Sequence, residues 1–155
     1  MDLAIVHSIE KDNNIDYVDL FKDEMILIVS ARNLLAQYPV VLPDHFADQV
    51  LITHSAKGER GIIFQEVLTP AGISVKKIVY VQLTEAVVEM VRAGIGIAVM
   101  PKWAMKPYLV NGDLSVKKIT TKGLIRRWYA ASLKANKKIE HLQFFIQLLK
   151  NEIMV

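Results

Sequence analysis

Residues 50–101 alternate between short aliphatic runs and amphipathic stretches, and this alternation restricts the fold more than any other feature of the chain. Residues 50–53 read as a strand, and 59–68 as a helix with Ile63, Phe64, Val67 and Leu68 on one face. Residues 75–81 form the next strand, 84–93 a helix with Val87, Met90 and Val91 facing inward, and 95–100 a strand ended by Pro101. Pro70 and Gly72 stop the first helix. Gly94 follows the second as its C′ residue, where glycine adopts positive φ without strain. A β-α-β-α-β run with connections this short is the pattern of a parallel α/β layer.

Strands that do not belong to this block lie on both sides of it. Before it come residues 2–7, a polar loop over 10–14, and a second strand over 24–30 (EMILIVS). Pro39 and Pro43 then punctuate a connection, with Asp44 placed to cap one short turn of helix. After the block come a short helix over 103–109, a turn at Asn111-Gly112-Asp113, and strands over 114–119 and 127–133. A final helix carries the stripe Ile139, Leu142, Ile146, Leu149 and Ile153. A chain that enters a second lobe, completes it and returns predicts two lobes with a cleft. The expected division is 1–31 with 124–155 for lobe one and 32–123 for lobe two. Because the sequence opens inside a strand, lobe one is expected to be incomplete at its N-terminus.

Composition narrows the function classes. With 52% apolar and 23% charged residues in a chain of 155, a disordered segment is excluded. Cysteine is absent, which removes disulfide frameworks and thiolate chemistry. The N-terminus has no basic n-region and no apolar run approaches a membrane span, so a cytoplasmic location without membrane contact is expected. Charge is unevenly spread: residues 1–75 hold 5 Lys/Arg against 11 Asp/Glu, and residues 76–155 hold 14 against 5. The basic residues come mostly as pairs (Lys76-Lys77, Lys117-Lys118, Arg126-Arg127, Lys137-Lys138) read as solvated surface, and no nucleic-acid-reading motif accompanies them.

In open α/β sheets ligands bind beyond the carboxyl ends of strands, where helix N-termini present free N–H groups. Three such ends are legible: His7-Ser8, His54-Ser55 and Leu83-Thr84-Glu85. Thr84 reads equally as an N-cap or as a ligand contact, and Glu85 suits the first turn of a helix. Catalytic patterns fail. The four histidines have no metal-ligand spacing, and Gly94-Ile95-Gly96 follows a helix instead of opening one. No nucleophile elbow or P-loop occurs, and Glu85 with Glu89 reads as a surface pair. Neither an enzyme nor a bound cofactor or metal is expected.

These segments resemble the effector-binding domain of LysR-type transcriptional regulators. The residues that carry the likeness are 2–6 (DLAIV), 21–29 (FKDEMILIV) and above all 83–103 (LTEAVVEMVRAGIGIAVMPKW), a helix, a Gly-x-Gly stop, an apolar strand and a proline. Within the family, residues 64–73 (FQEVLTPAGI), Pro101-Lys102-Trp103 and 123–131 (GLIRRWYAA) are similar to the branch that regulates methionine biosynthesis. One departure is Arg32-Asn33-Leu34-Leu35-Ala36, where the family commonly has His-Pro-Leu-Ala. The resemblance implies a two-lobed α/β fold like that of type 2 periplasmic binding proteins. It implies a small carboxylate or amino-acid effector, homocysteine in that branch, held by His7, Ser8, His54, Ser55, Leu83, Thr84, Glu85 and Pro101. It also implies homo-oligomers, and DNA contact only through a helix-turn-helix domain outside these residues. A transporter's solute-binding protein shares the fold and is the alternative. An amino-acid-processing enzyme would need an acid or base in the cleft, for which only His54 and Glu85 offer themselves.

Overall fold

The computed structural model describes residues 2–54 and 61–152, and by contact density the chain divides into two units. Unit 1 joins the N-terminal segment up to Asp23 to the chain from Ile125 onward, and unit 2 is Glu24–Leu124. The strands are β1 (Ala4–Val6), β2 (Ile15–Ser30), β3 (Val40–Val41), β4 (Val50–Thr53), β5 (Lys77–Tyr80), β6 (Ile97–Pro101), β7 (Leu114–Ile119) and β8 (Leu124–Leu133). The α-helices are α1 (Thr84–Arg92), α2 (Lys102–Met105) and α3 (Glu140–Glu152).

Unit 2 contains the expected parallel layer: β4 pairs in parallel with both β5 and β6. The second half of β2 lies antiparallel between β6 and β7, and β7 takes β3 in parallel at its other side. Side chains alternate along β2. Met25, Leu27 and Val29 enter one core with Leu51, Ile97 and Phe46, while Ile26 and Ile28 enter another with Ile52, Val87, Val91 and Met105. Both faces are covered, which is why this stretch of sequence is continuously apolar.

The ends of the elements show their local causes. Gly94 has φ +76°, Gly94 N–H donates to the Val91 carbonyl and Ile95 N–H to the Met90 carbonyl, the Schellman closure expected of a C′ glycine. The helix read over 59–68 lies partly outside the described residues. What is described winds wider than an α-helix, as a π-helical turn over Phe64–Leu68. Asp44 does not cap: the short 3-10 turn Pro43–Phe46 begins after Leu42, and Asp44 sits inside it. Thr120 has φ +56°, a conformation that crowds a β-branched side chain. Thr120→Asn is expected to raise stability by up to about 1 kcal/mol, read as a higher urea midpoint at unchanged slope.

Unit 1 is a smaller layer. β1 pairs antiparallel with β8, from Ala4 opposite Ala131 to Val6 opposite Tyr129. The first half of β2 begins at Ile15, nine residues before the strand read from sequence at Glu24. α3 packs Ile146 against Leu20 and Ala130, with Trp128, Phe21 and Leu149 partly buried around them.

Candidate functional site

In unit 2 the parallel strands bring several expected residues to one end. Val81 N–H donates to the Thr53 carbonyl at 3.0 Å, so the segment leaving β5 runs beside the end of β4, where His54 follows and is exposed. Pro101 closes β6 opposite Met25 and is half-buried. Ser55 lies outside the described residues. Leu83, 68% exposed, occupies the N-cap position of α1, and its side chain makes no capping hydrogen bond. Thr84 is therefore not the N-cap but the first helical residue, and it is half-buried. The first-turn N–H groups of a helix have no intrahelical partner, so those of α1 look for an acceptor outside the helix.

Glu85 is exposed, and its carboxylate accepts the Tyr108 hydroxyl hydrogen at 3.2 Å. Burial, then the Glu85 hydrogen bond and charge, hold Tyr108 above the ordinary phenol range. The other end of α1 is anchored by Arg92, which pairs with Glu89 and, at 2.6 Å, with Asp113. Glu85 and Glu89 thus both have local partners, as befits a helix surface.

In unit 1 His7 and Ser8 follow β1 and are exposed. His7 sets its ring edge-on to Trp128, 5.9 Å between centroids, and this contact reveals a cluster missed in the sequence. Phe21 stacks on the same indole at 6.0 Å, and the Arg126 guanidinium lies 4.2 Å from its centroid. Arg126 also pairs with Asp23 at 3.2 Å, with side chains only 13% and 3% exposed. Arg126 is therefore not the solvated charge expected of an exposed Arg126-Arg127 pair. Burial lowers the affinity of its guanidinium for the proton, and Asp23 offsets part of that shift. The missed signal was a period of two: Phe21 with Asp23, and Arg126 with Trp128, each stand two apart on a strand and share a face.

A groove of about 150 Å³ in unit 1, lined by Leu3, Ala4, Ile15, Ala131 and Leu133 among others, contains none of the expected site residues. Among the described residues no group of histidines and carboxylates could hold a metal, and no helix is long and apolar enough to cross a membrane.

The model of the LysR substrate binding domain matches residues 1–153. This chain belongs to the LysR substrate-binding domain family. The regulator MetR of Haemophilus influenzae is 31% identical over 97% of the chain, which spans 48% of that relative. The regulatory domain of MetR, a LysR family regulator from N. meningitidis, superposes with a TM-score of 0.88 at 32% identity, over 97% of this chain and 69% of that one. The effector binding domain of QuiR, solved in complex with shikimate, gives 0.74 at 25% identity, over 98% and 69%. The LysR fold is the mixed α/β fold of the periplasmic-binding-protein-like type, and the strand and helix order above is an instance of it. The chain spans about half the length of the curated relatives it matches.

Proposed function

We propose that this chain is the effector-sensing domain of a transcriptional regulator and that its ligand is a small carboxylate, an amino acid such as homocysteine in particular. The likeness to MetR regulators over nearly the whole chain supports the reading, and shikimate, the ligand of the QuiR domain, is itself a carboxylic acid. Single-chain sensing would serve a cytoplasmic homo-oligomer that meets DNA through another domain. The observation that supports the site is the start of α1, whose N-cap Leu83 offers no side-chain acceptor, in the segment that leaves β5 beside the end of β4. First-turn N–H groups and about half a positive charge at a helix start favour an anion. Thr84, Ser55 and His54 are the side chains proposed to complete the grip, with Leu83, Glu85 and Pro101 around it. His7 and Ser8, which follow β1, are further residues proposed as effector contacts. The transporter reading has no comparable support, since both MetR relatives are transcriptional regulators.

Thr84 supplies the test. It makes no capping bond, so Thr84→Ala is expected to change stability by less than about 0.5 kcal/mol. A lost hydrogen bond to a charged ligand, about 1.5–3 kcal/mol, is expected to weaken binding roughly ten- to a hundred-fold. Calorimetry of homocysteine, methionine and shikimate into the full-length protein, with and without the substitution, measures both. Equal affinities remove Thr84 from the site, and no heat from any of the three sinks the ligand class.

A further inference from the structure

We propose that Glu85 selects an amino acid over a plain carboxylate, its side chain accepting from the ligand's ammonium group, with Tyr108 as the residue that positions it. This role rests on the carboxylate reading above and adds the second charge of the ligand to it. The acids on this side of unit 2 differ in what holds them. Glu89 and Asp113 both pair with Arg92, and Glu24 lies 3.8 Å from Lys102. Glu85 has no cation among the described residues; the Tyr108 hydroxyl donates to its Oε1 at 3.2 Å, and Oε2 is left without a partner there. A phenol orients a carboxylate without neutralising it.

Tyr108 is itself fixed along α1. It is half-buried against the core that contains Val87, Val88 and Val91, and its carbonyl accepts from Arg92 at 3.4 Å while its hydroxyl reaches Glu85. The carboxylate is thereby ordered before any ligand arrives, which spares the ligand that cost. Glu85 is the second residue of α1. The Cα–Cβ bonds of a helix tilt toward its N-terminus, so this side chain sets out toward the N–H groups of the first turn. An α-amino acid carries carboxylate and ammonium on one carbon, and the first turn supplies N–H donors and an acid on adjacent residues. A ligand with a carboxylate alone meets the Glu85 charge as repulsion, so attraction and rejection both favour the amino acid.

Homocysteine and γ-mercaptobutyrate, the same molecule with hydrogen in place of the ammonium group, are the probes, titrated by calorimetry into the full-length protein. The unmodified protein is expected to bind homocysteine at least roughly tenfold tighter. Glu85→Gln keeps an oxygen for the Tyr108 hydroxyl and removes the charge, and it is expected to move the two ligands in opposite directions. Homocysteine weakens roughly tenfold, and γ-mercaptobutyrate tightens by up to about fivefold as the repulsion goes. Tyr108→Phe leaves Glu85 charged but unheld, and is expected to narrow the preference roughly two- to tenfold, one neutral hydrogen bond's worth. A merely structural role for these residues would weaken both ligands by the same factor, and that result overturns the proposal. Equal binding of the two ligands by the unmodified protein also overturns it, while leaving the carboxylate site standing. Heat from neither ligand removes the site and the proposal together.

Discussion

Arg126→Met is expected to destabilise the protein by up to about 3–5 kcal/mol, because it removes a cation from beside a buried carboxylate. Asp23 keeps only 3% of its side chain in contact with solvent and loses the cation 3.2 Å away. Methionine retains most of the contact with the Trp128 face, so the loss isolates the charge and not the packing. Removing both charges together, as Asp23→Leu with Arg126→Met, is expected to restore most of the stability, since an apolar pair of similar volume often equals a buried ion pair. Urea midpoints of the wild type, both single variants and the double variant close the cycle. Additive losses would show that the two charges do not depend on one another.

Gly96→Ala is expected to cost at least about 3 kcal/mol, the upper end of ordinary overpacking. A Cβ built at Gly96 falls 2.4 Å from the Val50 carbonyl oxygen and 3.2 Å from Ile52 Cγ1. The near atom is backbone of β4, which cannot rotate away, so β6 and β4 would have to part. Gly94 behaves differently. No atom lies within 4 Å of its Cβ position, and Gly94→Ala meets only the φ of +76°, which costs about 1–2 kcal/mol. Thermal unfolding of the two variants side by side separates contact from conformation. A milder effect at Gly96 than at Gly94 would contradict the close approach of the two strands.

What could be read from the sequence follows the strength of each periodic signal. The strands at 50–53 and 114–119 and the helix opening at Thr84 match their observed bounds; each strand's apolar pattern stops at polar flanks, Gln49 and His54 for the first and Asp113 and Thr120 for the second. The first half of β2 was invisible. Its residues Asp16, Asp19, Lys22 and Asp23 break up the apolar pattern, and the strand is held by partners remote in sequence, Asp19 by Arg127 and Asp23 by Arg126. Capping failed at Asp44 and Thr84 for a common reason. A residue type suited to a cap says nothing about which residue the preceding backbone turns on, and the turn falls one residue earlier at Thr84 and two at Asp44. In the candidate site, strand ends were legible because topology fixes them. The Trp128 cluster was not, since its members come from β2, β8 and the residue after β1.

The double-sided burial of Met25 to Val29 has a consequence for how unit 2 finds its alignment. A strand with one wet face reports its own phase, because a slip of one residue drives charges inward. Here a slip of one exchanges Leu27 for Ile28 between two aliphatic compartments, at little expense in solvation. The run is thus nearly silent about its own position. That information has to come from its borders. At one, Glu24 meets Lys102 at 3.8 Å; at the other, Ser30 stands opposite Leu114 and Ala31 N–H reaches the Asp113 carbonyl at 2.9 Å.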